Sequence, residues 1–195
     1  MKAGGFLNLH EIVPATAGPF RINKNDFRSN SIVMDTAQVQ HIEASLIDKV
    51  CMLVAPKNRG KTFTAKLIGL RSLQVKNAHA CYASIVDLNV AEATDYIISN
   101  NKHTGGDTYL FIVDDCHVDP SKSNRLFDSL SAFAPRTAHV LLTSRPLKEV
   151  TQPFRDVHKI IEISPSVELV SELVERHNPS TPPENRRDAM KKPGD

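Results

Sequence analysis

Residues 55–62, which read Ala-Pro-Lys-Asn-Arg-Gly-Lys-Thr, decide the fold. They follow residues 50–54, a short continuous apolar run that is typical of a strand buried on both faces of a sheet. They precede a segment in which Phe63, Leu67 and Leu70 recur at helical spacing. The stretch is therefore predicted to connect a buried strand to a helix, with its glycine and lysine at the start of that helix.

This connection fits the P-loop pattern Gly-x-x-x-x-Gly-Lys-Thr, with Ala55 in place of the first glycine. The backbone N–H groups of such a loop, together with the start of the following helix, form a cradle for phosphate groups. Lys61 brings a positive charge to the β- and γ-phosphates, and the Thr62 hydroxyl is the candidate ligand of Mg²⁺. We predict that consecutive residues bind the nucleotide: Pro56, Lys57, Asn58, Arg59, Gly60, Lys61, Thr62 and Phe63.

The same loop has a second interpretation. A basic turn between a strand and a helix would have this composition without binding phosphate. The side chains of Lys57 and Arg59 either reach phosphate oxygens or face water, and we favour water, with their backbone N–H groups still lining the cradle. Asn58 stands where many such loops have glycine, and asparagine is the residue that best tolerates a left-handed backbone after glycine.

A second motif follows the apolar residues 109–113, where Asp114 and Asp115 stand together. Open parallel sheets bind their ligands at the carboxyl ends of the strands, so acidic residues there are candidates for chemistry. We predict that Asp114 holds Mg²⁺, directly or through water, and that Asp115 orients or deprotonates the attacking water. The alternative is a pair of acids in a turn, where aspartate is common. His117 is a polar neighbour of this pair and is assigned no role.

A third motif, Val-Leu-Leu-Thr-Ser-Arg-Pro at residues 140–146, ends another apolar run with two hydroxyls and a guanidinium. In a parallel sheet this end faces the same crevice as the P-loop. We predict that Arg145 contacts the γ-phosphate and distinguishes a triphosphate from a diphosphate; the alternative is an arginine that only faces water. Lys61, Asp115 and Arg145 are therefore the predicted catalytic residues of a nucleoside triphosphatase.

The rest of the chain alternates strands with helices. Asn89 followed by Glu92, and Asp119 followed by Pro120, are typical of helix amino termini. Such alternation implies an α/β fold of three layers, with a mostly parallel sheet and helices on both of its faces. The five predicted strands lie at residues 50–54, 81–86, 108–113, 137–142 and 159–163.

The composition is that of a globular protein. Of the 195 residues, 41% are hydrophobic and 24% charged, which excludes a chain disordered throughout and collagen-like or low-complexity classes. The net charge of +2 is too small to favour nucleic acid or an anionic membrane as a partner. The three cysteines are far apart, as expected of buried thiols in a reducing cytosol. Because no signal peptide or membrane-spanning apolar run is present, we expect a cytoplasmic protein.

The three motifs APKNRGKT, YLFIVDD and VLLTSRP, in this order, resemble those of the STAND group of P-loop NTPases, which includes the NB-ARC and NACHT proteins and is related to AAA+ ATPases. The resemblance implies that the Thr-Ser-Arg strand lies between the P-loop strand and the Asp-Asp strand. It also implies ATP, less often GTP, together with Mg²⁺ and a switch driven by binding and slow hydrolysis. Two residues depart from the pattern: Ala55 replaces the first loop glycine, and Asp115 stands where AAA+ enzymes usually have glutamate.

We divide the chain into an amino-terminal arm or set of short strands (residues 1–34), a P-loop NTPase core (35–177) and a polar tail predicted to be disordered (178–195). The last helix of the core is expected after Pro165. Because the resemblance implies a lid or winged-helix domain after residue 177, we expect a core without its lid. Such a core is either a piece of a larger protein or a minimal NTPase that borrows its lid from a partner.

Four functions remain open at this point. The first is Mg²⁺-dependent ATP hydrolysis by a STAND- or AAA-like module that works as a signalling or conformational switch, with a protein partner or self-association through the core. The second is a nucleotide-binding scaffold without turnover, which Ala55 and Asp115 favour. A nucleic-acid-associated ATPase has only scattered basic residues such as Lys66 and Arg71 in its support, and a solvated basic surface explains these better. A small-molecule kinase ranks low, because residues 89–106 contain only Lys102 as a strong base.

Overall fold

The computed structural model describes residues 3–12, 36–57, 59–101, 106–146 and 158–163. After a 3-10 turn at Ala3–Gly5, the helices are α1 (Leu9–Ile12), α2 (Thr36–Asp48), α3 (Lys61–Ser72), α4 (Val90–Asn100) and α5 (Pro120–Ser129). The strands are β1 (Leu7–Asn8), β2 (Cys51–Val54), β3 (Ala78–Ser84), β4 (Thr108–Asp114), β5 (Ala138–Ser144) and β6 (Lys159–Glu162). The helix expected after Pro165 and the polar tail lie outside the described residues. None of the described helices combines the length and apolar character that crossing a membrane requires.

The strands form one six-stranded sheet in the order β1-β3-β4-β5-β2-β6. Neighbouring strands run parallel except at one edge, where β1 pairs antiparallel with β3. The predicted α/β class is therefore confirmed, and β5 lies between β2 and β4 as the resemblance implied. The sheet has one strand more than the five predicted, because Leu7 and Asn8 are too few to show the alternation by which a strand is recognised in a sequence.

Successive residues of the central strand β4 belong to opposite faces of the sheet. Phe111 and Val113 lie in a buried cluster with side chains of α4 and α5, among them Phe127. Leu110 and Ile112 lie in a second buried cluster with side chains of α1, α2 and α3. Helices therefore cover both faces, and the apolar strands between them fix the positions of the loops that leave their carboxyl ends.

The amino-terminal residues 3–12 contribute to both clusters. Phe6 is fully buried, and its ring centroid lies 5.1 Å from that of Phe111 on one face of the sheet. Leu9 is fully buried on the other face, beside Gly69 of α3. A Cβ atom at Gly69 would meet the side-chain ends of Leu9 and Ile112, so these side chains would have to shift if glycine were replaced. The segment thus packs around β3, the outermost of the parallel strands on that side of the sheet.

The two predicted helix caps are confirmed. The Asn89 side chain accepts a hydrogen bond from the backbone N–H of Glu92 at the start of α4. The Asp119 carboxylate accepts one from the backbone N–H of Lys122 (2.9 Å) at the start of α5, with Pro120 in the first turn. Each side chain satisfies one of the N–H groups that the first turn of a helix leaves without an intrahelical acceptor.

Candidate functional site

The P-loop connects β2 to α3 at the carboxyl edge of the sheet. Ala55 follows β2 and is 2% exposed, and its N–H donates to the carbonyl oxygen of Ser144 at the end of β5 (3.3 Å). This bond ties the start of the loop to the strand that ends in Thr-Ser-Arg. Among the other predicted loop residues, Pro56 and Lys57 are exposed, Arg59 is half-buried and Asn58 lies outside the described residues.

Helix α3 begins at Gly60 without a side-chain cap. Gly60 has φ 82° and ψ 6°, a left-handed conformation that favours glycine, and its carbonyl oxygen accepts the first helical hydrogen bond, from the N–H of Thr64 (2.8 Å). In an α-helix the preceding N–H groups, here those of Lys61, Thr62 and Phe63, have no acceptor within the helix. They and the helix dipole make this end suitable for an anion. The half-buried Phe63 side chain packs against the cluster on the α1–α3 face.

Lys61 is buried at the centre of the site, with 7% of its surface exposed. Its ammonium group donates to the carbonyl oxygen of Pro56 (3.0 Å), which closes the loop on itself. Burial is the largest influence on Lys61 and lowers its pKa; Asp115 opposes this shift, and Arg145 adds to it. A charge that is partly removed from water in this way gains more from a phosphate partner than an exposed lysine would.

Asp114 connects three neighbouring elements. Its carboxylate is 2% exposed and lies at the end of β4. The oxygen Oδ1 accepts hydrogen bonds from the hydroxyls of Thr62 on α3 (3.1 Å) and Thr143 on β5. The other oxygen, Oδ2, accepts one from the hydroxyl of Tyr82 on β3 (2.6 Å). A buried carboxylate requires such partners, and here they link the P-loop helix to two strands.

Asp115 lies on the accessible side of this network. Its backbone has φ 58°, and its N–H is within hydrogen-bonding distance of Asp114 Oδ1 and of Thr143 Oγ1 (both 3.1 Å). The side chain is 49% exposed, and its Oδ1 is 3.9 Å from Nδ1 of His117. A left-handed conformation at a residue other than glycine is strained and persists where the surroundings impose it. The two backbone contacts hold Asp115 so that its carboxylate projects from the sheet while Asp114 stays inside.

Arg145 follows β5 and is exposed, beside the same group of charges. Its positive charge contributes to lowering the pKa of Lys61 and that of His117, although burial has the larger effect on both. Lys61, Asp114, Asp115 and Arg145 therefore lie within electrostatic reach of one another, as the three sequence motifs predicted. His117 joins them, with its Nδ1 atom buried and without a hydrogen bond.

Thr62 and Asp114 suit a magnesium ion in chemistry and in spacing. Mg²⁺ prefers octahedral oxygen ligands at about 2.0–2.1 Å, which puts adjacent ligands about 3 Å apart. Thr62 Oγ1 and Asp114 Oδ1 are 3.1 Å apart. The described residues hold no group of three or more His, Cys, Asp or Glu side chains placed around one metal ion. Phosphate oxygens and water would fill the remaining positions, which is the usual arrangement for Mg²⁺ bound with a nucleotide.

Two residues of this site are not predicted from the sequence. Thr143 was recognised only as part of the Thr-Ser-Arg strand end, and Tyr82 was not recognised at all. Tyr82 pairs in register with Ile112, two residues before Asp114, so the two side chains share a face of the sheet. Predicting the contact between Tyr82 and Asp114 requires the register between β3 and β4, and the sequence of neither strand specifies that register.

No protein-family model matches the sequence, and the curated proteins contain no significant match. Among solved structures, the chain is similar to a chain of the E. coli MS115-1 HORMA:CdnC:Trip13 complex, with a TM-score of 0.63 and 14% identity, covering 99% of this chain and 81% of that one. It is also similar to katanin in a structure of katanin self-assembly, with a TM-score of 0.57 and 14% identity, covering 91% of this chain and 63% of that one. Trip13 and katanin are AAA+ ATPases, and the fold of this chain is accordingly similar to that of AAA+ P-loop domains.

Proposed function

We propose that this chain binds ATP with Mg²⁺ and hydrolyses it, as a P-loop NTPase of the STAND type that works as a conformational switch. One observation carries the proposal: the hydroxyl of Thr62, at the uncapped start of α3, lies 3.1 Å from the buried carboxylate of Asp114 at the end of β4. Lys61, one residue earlier, is buried beside them. A structural turn has no need for a buried lysine, a buried aspartate and a free helix terminus at one point.

Each residue has a role that follows from its position. The N–H groups at the start of α3 bind the phosphates, and Lys61 exchanges the carbonyl oxygen of Pro56 for a phosphate oxygen. Thr62 and Asp114 hold Mg²⁺, which when bound neutralises charge on the β- and γ-phosphates. Asp115, half-exposed, orients the attacking water, and Arg145, exposed beside the site, contacts the γ-phosphate.

The finer assignments rest on separate observations. The STAND type rests on the resemblance of the Asp-Asp and Thr-Ser-Arg motifs to those of that group. The solved structures with a similar fold come from a multi-protein complex and from a self-assembly, which supports a protein partner or self-association of the core for this chain. All three cysteines are buried and far apart in the sequence, which supports a reducing compartment such as the cytoplasm.

Nucleotide binding is tested by thermal unfolding with ATP, ADP, GTP or GDP, each with Mg²⁺. A ligand that binds only the folded state stabilises it by about 2.7 kcal/mol at a hundred times its Kd, so ATP should raise the melting temperature by several degrees. Lys61→Ala should lose at least about tenfold in affinity, the usual range for a hydrogen bond to a charged group. Lys76→Ala, which removes an exposed lysine beyond the far end of α3, serves as the control and should match the wild type.

Phosphate release by the same proteins completes the experiment, with Asp115→Asn as a further variant. Release that stops in Lys61→Ala and in Asp115→Asn supports hydrolysis by this site. Tight ATP binding without release would instead identify a nucleotide-binding scaffold. The absence of any thermal shift at millimolar nucleotide would contradict the proposal as a whole.

A further inference from the structure

Tyr82 contacts the candidate magnesium ligand from the side opposite the P-loop. Its hydroxyl donates to Asp114 Oδ2 over 2.6 Å, while Thr62, Thr143 and the N–H of Asp115 surround Oδ1. The two carboxylate oxygens are thus held by different elements, β3 on one side and α3 with β5 on the other. The orientation of the carboxylate plane depends on both sets of contacts.

Lys66 links Tyr82 back to the P-loop helix. Its ammonium nitrogen lies 4.7 Å from the centroid of the Tyr82 ring, a distance at which a cation is attracted to the ring face. Lys66 follows Thr62 by one turn of α3, so the two side chains lie on the same side of the helix. One face of α3 therefore contacts Asp114 directly through Thr62 and indirectly through Lys66 and the ring of Tyr82.

A divalent cation held by Thr62 and Asp114 Oδ1 would alter the contacts of Oδ1 and leave the contact of Tyr82 with Oδ2 in place. Thr62 donates its proton to Asp114 Oδ1. To ligate a cation shared with Asp114, Thr62 must present a lone pair instead, and its hydrogen bond to the carboxylate is lost. The contact from Tyr82 to Oδ2 is compatible with a cation at Oδ1. The Tyr82 hydroxyl can therefore continue to donate to Oδ2.

We propose that Tyr82 is a positioning residue that holds the Asp114 carboxylate with Oδ1 towards Thr62, so that the pair is ready to receive Mg²⁺. The inference rests on the proposed function, since it assigns a residue to the metal site of that function. Hydrogen-bonding partners of metal ligands orient the ligand, and their loss typically reduces metal affinity by about 10–100-fold. The role predicted for Tyr82 is of this kind.

The test compares Tyr82→Phe with Tyr96→Phe. Both variants remove one hydroxyl from a partly buried tyrosine, but Tyr96 packs against Phe6 and Phe111 away from the carboxylate. The measurement is the Mg²⁺ concentration that gives half-maximal binding of a fluorescent ATP analogue. Tyr82→Phe should raise this concentration about tenfold or more and leave binding in EDTA unchanged, whereas Tyr96→Phe should behave as the wild type.

Lys66→Met provides a second variant that keeps the stem of the side chain over the ring and removes its charge. It should raise the half-saturating Mg²⁺ concentration in the same direction by a smaller factor. An unchanged Mg²⁺ requirement in Tyr82→Phe, with or without a lower melting temperature, would overturn the inference while leaving the proposed function intact. Failure of the wild type to bind the analogue with Mg²⁺ would overturn the proposed function and this inference with it.

Discussion

Helices α3 and α5 both begin just after a parallel strand ends, at the same edge of the sheet, yet their amino termini differ. The start of α5 is capped by an anionic side chain: the Asp119 carboxylate accepts a hydrogen bond from the N–H of Lys122. The start of α3 has Gly60 and no side-chain cap, with Lys61 as its first residue. The position that a carboxylate fills in α5 is left to an external group in α3. Helix α3 therefore lacks the stabilisation that a side-chain cap provides, and its first N–H groups stay available to a ligand.

Placing a carboxylate at the start of α3 should have the largest effect. Gly60→Asp puts a negative charge where the phosphates would bind, and repulsion at about 4 Å is worth several kcal/mol near a protein surface. We expect ATP affinity to fall by about a hundredfold or more. The measurement is the thermal shift with Mg²⁺ and ATP.

Gly106→Asp is the matched control for this variant. Gly106 has φ 76° and Gly60 has φ 82°, and at neither position would an added Cβ meet another atom within 4 Å. Both substitutions should therefore carry a similar backbone cost, about 1–2 kcal/mol for a left-handed residue other than glycine. Gly106 lies beside the start of β4, at the amino-terminal ends of the parallel strands, whereas Gly60 lies at their carboxyl ends. Only Gly60→Asp should therefore lose affinity for the nucleotide. Equal ATP affinities of the two variants would argue against a phosphate site at α3.

Removing the existing cap of α5 should have a smaller effect of a different kind. Asp119→Ala leaves the N–H of Lys122 without its acceptor and should reduce the free energy of unfolding by about 1 kcal/mol, measured by urea denaturation. Nucleotide affinity should not change. Asn89→Ala, at the start of α4, should give a similar loss. If Asp119→Ala weakened ATP binding as strongly as Lys61→Ala does, the division between capped and ligand-binding helix ends would be wrong.

The sequence predicted those features that have a local signature. The caps at Asn89 and Asp119 were recognisable because a helix start requires particular residues within a few positions. The alternation of strands and helices fixed the fold class, and the order of the motifs, through their resemblance to a known group, placed β5 in the sheet. Element boundaries were predicted less accurately: β3 begins at Ala78 rather than at residue 81, because Ala78 and His79 are only half-buried and residues 78–80 form no apolar run.

Features that depend on pairing between distant segments could not be predicted. The contact of Tyr82 with Asp114 follows from the register of two strands, and nothing in either strand specifies that register by itself. The burial of Phe6 is of the same kind, because a single aromatic residue in a segment without periodicity gives no indication of its partner. The candidate site was therefore predicted in its motif residues and missed in the residues that hold those motifs together.

The charges around the uncapped end of α3 lead to the last and smallest effect, on the pH dependence of stability. Burial chiefly, and Arg145 next, lower the pKa of His117 below its usual 6.5, against a weaker opposing effect of Asp115. As the pH falls below 6.5, the unfolded chain takes up this proton before the folded chain does, so the free energy of unfolding decreases. His117→Asn should therefore lose less stability than the wild type between pH 7 and pH 5 in urea denaturation, whereas His41→Asn, an exposed position on α2, should follow the wild type. A wild-type profile in His117→Asn would mean that the positive charge near α3 does not reach His117, and that the site is more open to water than its buried Lys61 indicates.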